Sequence, residues 1–332
     1  MQDKIILKKN ARQRLVLNKG ELKLLAFLEQ QRMLTLQQSY QYANKFCKMY
    51  MTDYSFKNRI RKFEDYHLIR GYYYSEGFDG ERFKYICIGS KGIDLLIEHN
   101  LLDSSYNKPK IYKFDKKKNI MHFLMTQQVV INLLTQLDGE VIHYPNSKEL
   151  KYLLFYDERV SSYSPAVLPY TEWVRKERNL HRQNDGAYHA KVAKYMTTNK
   201  QTSKINGATM TIVKPDWIIK VKGEKETRDA FINIELDMGT EPIQTLIEKV
   251  FKYAILAEKN KNELHIMNIV VADNSFSNRS KLSDGIKRGE NIAKHFISDP
   301  AVVNRLKESG LKIKISPLKY NNQAVIDALQ KY

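Results

Sequence analysis

Apolar residues recur along this chain with two different periods, and the changes of period mark its elements. Between residues 19 and 31, Leu22, Leu25, Ala26 and Leu28 fall at helical spacing. Asn18 stands where an N-cap side chain would accept from the first free amides. A shorter helix is expected over 36–46. Thr52 or Asp53 can cap a third that runs to about Tyr66, with Phe56, Ile60 and Phe63 on its apolar face. Its other face carries Lys57, Asn58, Arg61 and Lys62. The period then drops to two. Residues 68–74 and 82–88 read as strands, parted by the turn-forming Ser75-Glu76-Gly77-Phe78-Asp79-Gly80. Tyr72, Tyr73 and Tyr74 alternate in the first strand, so at least one is expected in the core and the others on a face open to phosphate. Ser90 is placed to cap a helix through His99. Gly89-Ser90-Lys91-Gly92 lacks the full spacing of a phosphate loop, so a helix cap is the reading kept.

Three helices, a basic third helix and a strand hairpin follow the order of a winged helix-turn-helix. In that arrangement the third helix enters the major groove and the hairpin touches the backbone. Residues 1–102 are therefore expected to form a DNA-binding domain, with Lys57, Asn58, Arg61 and Lys62 as its contacts. Residues 103–119 hold Ser, Asn, Pro and the run Lys116-Lys117-Lys118, and read as a linker. A second domain is expected over 120–332. It opens with a strongly apolar helix at 120–137, whose His122 reads as structural. Candidate strands follow at 140–143 and 150–156, and a candidate helix at 171–178. Glu172 and Glu177 there are subsidiary acidic candidates. Further on, 264–272 and 311–315 read as strands, and 285–297, 300–308 and 322–329 as helices. The expected class is mixed α/β.

The densest chemistry lies at 213–253. Two apolar runs, 213–221 and 230–236, flank a charged turn and read as an antiparallel hairpin. In the second, Ile232, Ile234 and Leu236 alternate with Asn233, Glu235 and Asp237, so the polar three share one face. Asp216 begins the first run, which brings three carboxylates toward one edge of the sheet. Asp216, Glu235 and Asp237 are hard oxygen donors suited to Mg2+ or Mn2+. Metal ions held there would clamp the oxygens of a phosphodiester. Thr240 is expected to cap a helix with Pro242 in its first turn. That helix sets Lys249 and Tyr253 one turn apart on one face, with Lys249 placed to act on a phosphate or a water.

Composition narrows the class. The 332 residues suffice for two cores, and a formal charge of +18 favours a polyanionic partner, nucleic acid before membrane. Cys47 and Cys87 form no CxxC or Cys/His cluster and fit a reducing, cytoplasmic setting. No stretch has the length and apolarity of a membrane span or signal peptide. Walker, H-E-x-x-H, G-x-G-x-x-G and G-x-S-x-G patterns are absent from the sequence. Its 21 tyrosines invite a tyrosine relaxase, but no clustered His-x-His accompanies them.

Pro215-Asp216 followed by Glu235-Leu236-Asp237 resembles the PD-(D/E)xK nuclease superfamily, with Asp237 where the motif lysine usually stands and Lys249 as a migrated replacement. The chain is also similar to the replication-relaxation proteins of plasmids and integrative elements of Gram-positive bacteria. That likeness is carried by the "PD" strand, by Glu235-Leu236-Asp237-Met238-Gly239-Thr240-Glu241 and by Lys249-Val250-Phe251-Lys252-Tyr253. The resemblance implies a restriction-endonuclease-like second domain and a Mg2+-dependent DNA endonuclease or nickase. Asp216, Glu235, Asp237 and Lys249 would be its catalytic residues. The alternative it leaves open is a non-catalytic DNA-binding accessory factor with a degenerate nuclease fold. Double-stranded DNA is the expected partner, alongside other replication or transfer proteins, with a homodimer as an open assembly state.

Overall fold

The structure, a computed structural model, describes residues 5–10, 12–31, 33–75, 82–102, 104, 120–136, 203–205, 208–210, 215–221, 228–259, 261–276 and 282–329. It is mixed α/β and divides into two compact units. The first is Met1–Gln136 with Phe276–Lys281, and the second Leu137–Ser275 with Leu282–Tyr332.

The first unit opens with a hairpin of β1 (Ile5–Lys8) and β2 (Arg14–Leu17) that the sequence pattern does not announce. Helix α1 (Lys19–Gln31) begins with a reciprocal cap. Asn18 Oδ1 accepts from the Glu21 amide at 2.9 Å, and Glu21 Oε2 accepts from the Asn18 amide at 2.9 Å. The short β3 (Leu34–Thr35) leads into α2 (Leu36–Lys45), capped by Thr35. Thr52 caps α3 (Asp53–Asp65), which buries Phe56, Ile60 and Phe63 as expected. The strands β4 (Ile69–Ser75) and β5 (Arg82–Ile88) pair antiparallel, and β5 lies between β4 and β3 in a three-stranded sheet.

Two expectations change here. None of the three tyrosines is buried: Tyr72 and Tyr74 stack half-buried on Tyr85 and Phe83, and Tyr73 is exposed. Sheet alternation sends Tyr73 to the face the core does not use. Helix α4 (Ser90–Glu98) takes Gly89, not Ser90, as its N-cap, so no side chain caps it. Gly89 is required there because a Cβ would stand 2.2 Å from the His67 carbonyl oxygen.

Helix α5 (Ile120–Gln136) belongs to the first unit, whereas the sequence reading opens the second domain with it. Its backbone and amide side chains hold it there. Gln38 donates to the Leu124 carbonyl at 2.7 Å, Gln127 to the Gln31 carbonyl at 3.0 Å and Gln128 to Gln41 at 2.8 Å. The expected linker 103–119 lies, apart from Ser104, outside the described residues. So do the strands expected at 140–143 and 150–156, the helix at 171–178, and Glu172 and Glu177.

The second unit is built on a four-stranded sheet in the order β11-β10-β9-β8, where β8 is Trp217–Val221, β9 Ala230–Asp237, β10 Leu264–Val271 and β11 Lys312–Pro317. A separate antiparallel pair is β6 (Ser203–Ile205) with β7 (Ala208–Met210). The expected hairpin is present, since β8 and β9 are antiparallel, while β9, β10 and β11 run parallel. The parallel pair β9 and β10 is joined by α6 (Ile243–Lys259). Pro242 sits one residue before that helix, and its carbonyl accepts from Thr245 and Leu246, so it is a cap rather than part of the first turn. The chain closes with α7 (Ile286–Ser298), α8 (Pro300–Ser309) and α9 (Asn321–Leu329).

All eight residues of β9 are buried. Parallel-sheet strands are covered on both faces, and this strand follows that rule despite its acidic residues. Leu246, Val250, Tyr253 and Ala254 of α6 and Ile292 and Phe296 of α7 pack with Met267, Ile269 and Val271. These three pair in register with Asn233, Glu235 and Asp237. The carboxylates therefore lie under helices, not on a half-solvated face.

Candidate functional site

Asp216 precedes β8 and is drawn to β9 by its own backbone. Its amide donates to the Ile234 carbonyl at 3.0 Å, while Trp217 pairs in register with the same Ile234. Two residues facing one is the pattern of a β-bulge, which re-aims a side chain. The Asp216 Oδ2 then accepts from the Leu236 amide at 2.8 Å.

Glu235 is the buried centre of the site. It accepts from Lys249 Nζ at 2.8 Å on one oxygen and from the Tyr253 hydroxyl at 2.5 Å on the other. The i, i+4 spacing of Lys249 and Tyr253 thus brings both to one carboxylate, as the helix face implies. Burial first, then the charge of nearby Asp216, pushes Glu235 up to about 7, against the opposite pull of Lys249 and Tyr253. Burial pulls the Lys249 ammonium down, but the Glu235 charge and the bonds to Glu235 and Glu241 outweigh it and hold Lys249 above the usual lysine range.

Asp237 has different partners. Its Oδ2 accepts from Arg288 Nε at 2.7 Å, and its Oδ1 from the Gly239 amide at 2.9 Å. Arg288 also donates to the Glu241 carbonyl, and the Glu241 carboxylate binds Lys249 at 2.9 Å. Among the described residues no three His, Cys, Asp or Glu side chains are grouped to hold a metal ion. The structure thus brings Asp216, Glu235 and Lys249 together and turns Asp237 to Arg288. Arg288 and the Gly239 amide engage the third expected carboxylate, Asp237.

Sequence reasoning missed Arg288 and Glu241. Arg288 had one signal: it stands in the first turn of a helix, where the dipole disfavours a cation. That position is consistent with a nearby anion, here Asp237, though Lys287 beside it shares the position and has no ion pair among the described residues. Glu241 had a signal as the last residue of the Glu235–Glu241 motif, but no role was read for it.

The second sequence-derived group lies on α3. Lys57, Arg61 and Lys62 are exposed or half-buried at its outer face, as is Asn58. Lys57 pairs with Asp53 of its own helix at 2.5 Å, and Arg61 reaches Asn58 at 3.4 Å. Both contacts are local and solvent-facing, so they compete weakly with an outside partner. Arg59, between them in sequence, points the other way and pairs with the buried Glu21 at 2.5 Å.

The sequence model of one family, described as replication-relaxation, matches residues 25–270. The chain belongs to the replication-relaxation family. The match runs from within α1 into β10 and takes in Asp216, Glu235, Asp237, Lys249 and the basic face of α3. It stops short of α7, so the replication-relaxation segment receives Arg288 from beyond its own boundary. No curated protein and no solved structure matches the chain. No helix among the described residues is long and apolar enough to cross a membrane.

Proposed function

We propose that this protein is a double-stranded-DNA-binding protein that acts in the replication, relaxation or transfer of a plasmid or similar mobile element. Family membership supplies the process. The observation that supports DNA binding is the order α1-β3-α2-α3-β4-β5 with a basic outer face on α3, which we read as a winged helix. Lys57, Asn58, Arg61 and Lys62 meet the duplex, and the net charge of +18 draws a polyanion to it. Replication or transfer proteins of the same element are the accompanying partners, and the compartment is the cytoplasm.

The test is duplex binding measured across salt concentrations. Lys57→Ala with Arg61→Ala should weaken binding and reduce the slope of log K against log salt by about two, near 0.9 for each phosphate left unneutralised. An unchanged slope in a folded double variant would place DNA binding elsewhere.

A second reading, a metal-dependent DNA endonuclease or nickase with a PD-(D/E)xK-like core, is favoured by one observation: Lys249 bonds Glu235 beside Asp216. The donor set suits Mg2+ or Mn2+, which accept one or two carboxylates and keep water ligands. Asp216 and Glu235 would hold the ion, which when bound would polarise a phosphodiester. Lys249 would turn from Glu235 to the phosphate, and Asp237 would anchor Arg288. Nicking of supercoiled plasmid with Mg2+ or Mn2+, abolished by EDTA and by Glu235→Gln, supports this reading. Duplex binding without nicking leaves the non-catalytic factor.

A further inference from the structure

Arg288 occupies the third position of α7, where the helix dipole opposes a positive charge. The fold nonetheless puts it there. The N-cap Gly285 has φ 75°, and a Cβ at that residue would lie 3.3 Å from both Pro317 Cβ and Val271 Cγ1. Helix α7 thus starts hard against the ends of β10 and β11, and this delivers Arg288 to the end of β9. Its bonds to Asp237 and to the Glu241 carbonyl use Nε and one terminal nitrogen. A guanidinium has five N–H donors. The second terminal nitrogen of Arg288 has no partner among the described residues.

Lys249, from α6, reaches the same loop by bonding the Glu241 carboxylate at 2.9 and 3.1 Å. The layering of charge is the second observation. The Lys249 and Arg288 side chains are 26% and 22% exposed, while Glu235 and Asp237 behind them are 3% and 0%. The anions lie inside and the cations outside. Glu241, 25% exposed, is the more solvated of the two anions that Lys249 binds.

We propose that Lys249 and Arg288 form a phosphate-binding pair, in which the Glu241 carboxylate engages Lys249 in the free protein as an internal stand-in that a nucleic-acid phosphate displaces. The inference rests on the DNA-binding reading and adds a second contact region, in the second unit, to the basic face of α3. The planar guanidinium fork presents paired donors to a phosphate, and the ammonium adds a point charge. The exchange of partners is favourable only because Glu241 is partly solvated, so releasing it leaves no buried charge.

The test uses the full chain with Arg288→Gln, Arg288→Lys and Glu241→Gln. Duplex binding across salt concentrations is the first readout. Arg288→Gln should reduce the slope of log K against log salt by about one. Arg288→Lys should retain the slope, and Glu241→Gln should tighten binding several-fold. Thermal melting with tripolyphosphate, without DNA, is the second readout. The polyphosphate should raise the wild-type melting temperature and raise that of Arg288→Gln less. A clamp that serves only Asp237 would lower the melting temperature of Arg288→Gln but leave both the slope and the polyphosphate shift as in wild type, and that result overturns the proposal. Should Arg288→Gln fail to fold, an unchanged affinity in Glu241→Gln with no polyphosphate shift in wild type overturns it equally. If the α3 double variant loses duplex binding while Arg288→Gln keeps the full slope, DNA binding stands and this site falls. If no duplex binds at all, the DNA reading falls and the polyphosphate shift alone decides the site.

Discussion

Two buried titratable side chains in the second unit pull stability in opposite directions with pH. His265, at the start of β10, is held down to about 4 by burial. Its Nε2 lies 3.1 Å from Glu263, a contact that would favour the charged ring. Glu263 is partly solvated, however, and His265 Nδ1 is buried with no hydrogen-bond partner among the described residues. Charging the ring would leave a buried donor unpaired, so the neutral form prevails. The unfolded imidazole binds its proton near 6.5 and the folded one near 4, so stability rises with pH across that window. Glu235 runs the other way. Its folded value near 7 exceeds the ordinary carboxylate value of 4.5, so the folded state keeps a proton that the unfolded state has lost, and stability falls as pH rises through that window. Each shift corresponds to about 3 kcal/mol, and between pH 4.5 and 6.5 the two nearly offset. Glu235→Gln should expose the histidine slope, giving a urea midpoint that climbs from pH 4.5 to 6.5. His265→Gln should give a midpoint that falls over the same range. Trp217 lies on β8 of the second unit, so its fluorescence reports on that unit. A steep pH slope in wild type together with flat variants would contradict this balance.

Within a single helix, α3, two arginines two residues apart have separate tasks. Arg59 pairs with Glu21, which is buried, and stacks over Phe63 at 5.2 Å. Removing it strands a buried carboxylate. Arg59→Ala should therefore cost about 2–3 kcal/mol, while Arg61→Ala should stay within about 0.5 kcal/mol and act on DNA affinity instead. Urea denaturation beside duplex binding separates the two, and equal stability losses would erase the distinction. The same helix shows what the sequence makes legible. Phe56, Ile60 and Phe63 define a face by period alone, and Thr52 marks its start. The hairpin β8–β9 and the shared face of Lys249 and Tyr253 were legible for the same reason, since local period fixes them, but that both meet Glu235 was not. The burial of Glu235 and Asp237 was not. Alternation says which residues share a face, but only tertiary packing says whether water or helix covers it, and here α6 and α7 do. Arg288 lies 51 residues from Asp237, a separation that no local period spans. The hairpin β1–β2 escaped because four-residue strands are too short for alternation to stand out.

The whole molecule divides at a place that composition misplaces. The Lys- and Asn-rich stretch 103–119 reads as a boundary, yet α5, which follows it, belongs with the elements before it. The reason lies in the faces of α1 and α2. Leu124, Met125, Val129 and Leu133 of α5 are buried, the Gln38 side chain donates to the Leu124 carbonyl, and the Gln127 side chain donates to the Gln31 carbonyl. A fragment ending at residue 119 would expose the apolar surface that α5 covers and leave the buried Gln38 side chain without its Leu124 acceptor. Burying a medium-sized apolar side chain is worth about 1.5–3 kcal/mol, and an unsatisfied buried amide costs about 1–3 kcal/mol more. Against a domain stability of about 5–15 kcal/mol, removing α5 takes away a large share. Fragment 1–136 should therefore melt cooperatively and bind duplex DNA with the salt slope of the intact chain's α3 face. Fragment 1–119 should melt at least about 10 °C lower or aggregate, since about 1 kcal/mol moves the midpoint of a domain this size by about 4–8 °C. Circular dichroism melts of the two fragments, with duplex titrations of each, are the measurement. If fragment 1–119 melts as high as fragment 1–136, then α5 is a passenger on the first unit, and the boundary returns to the stretch its composition marks.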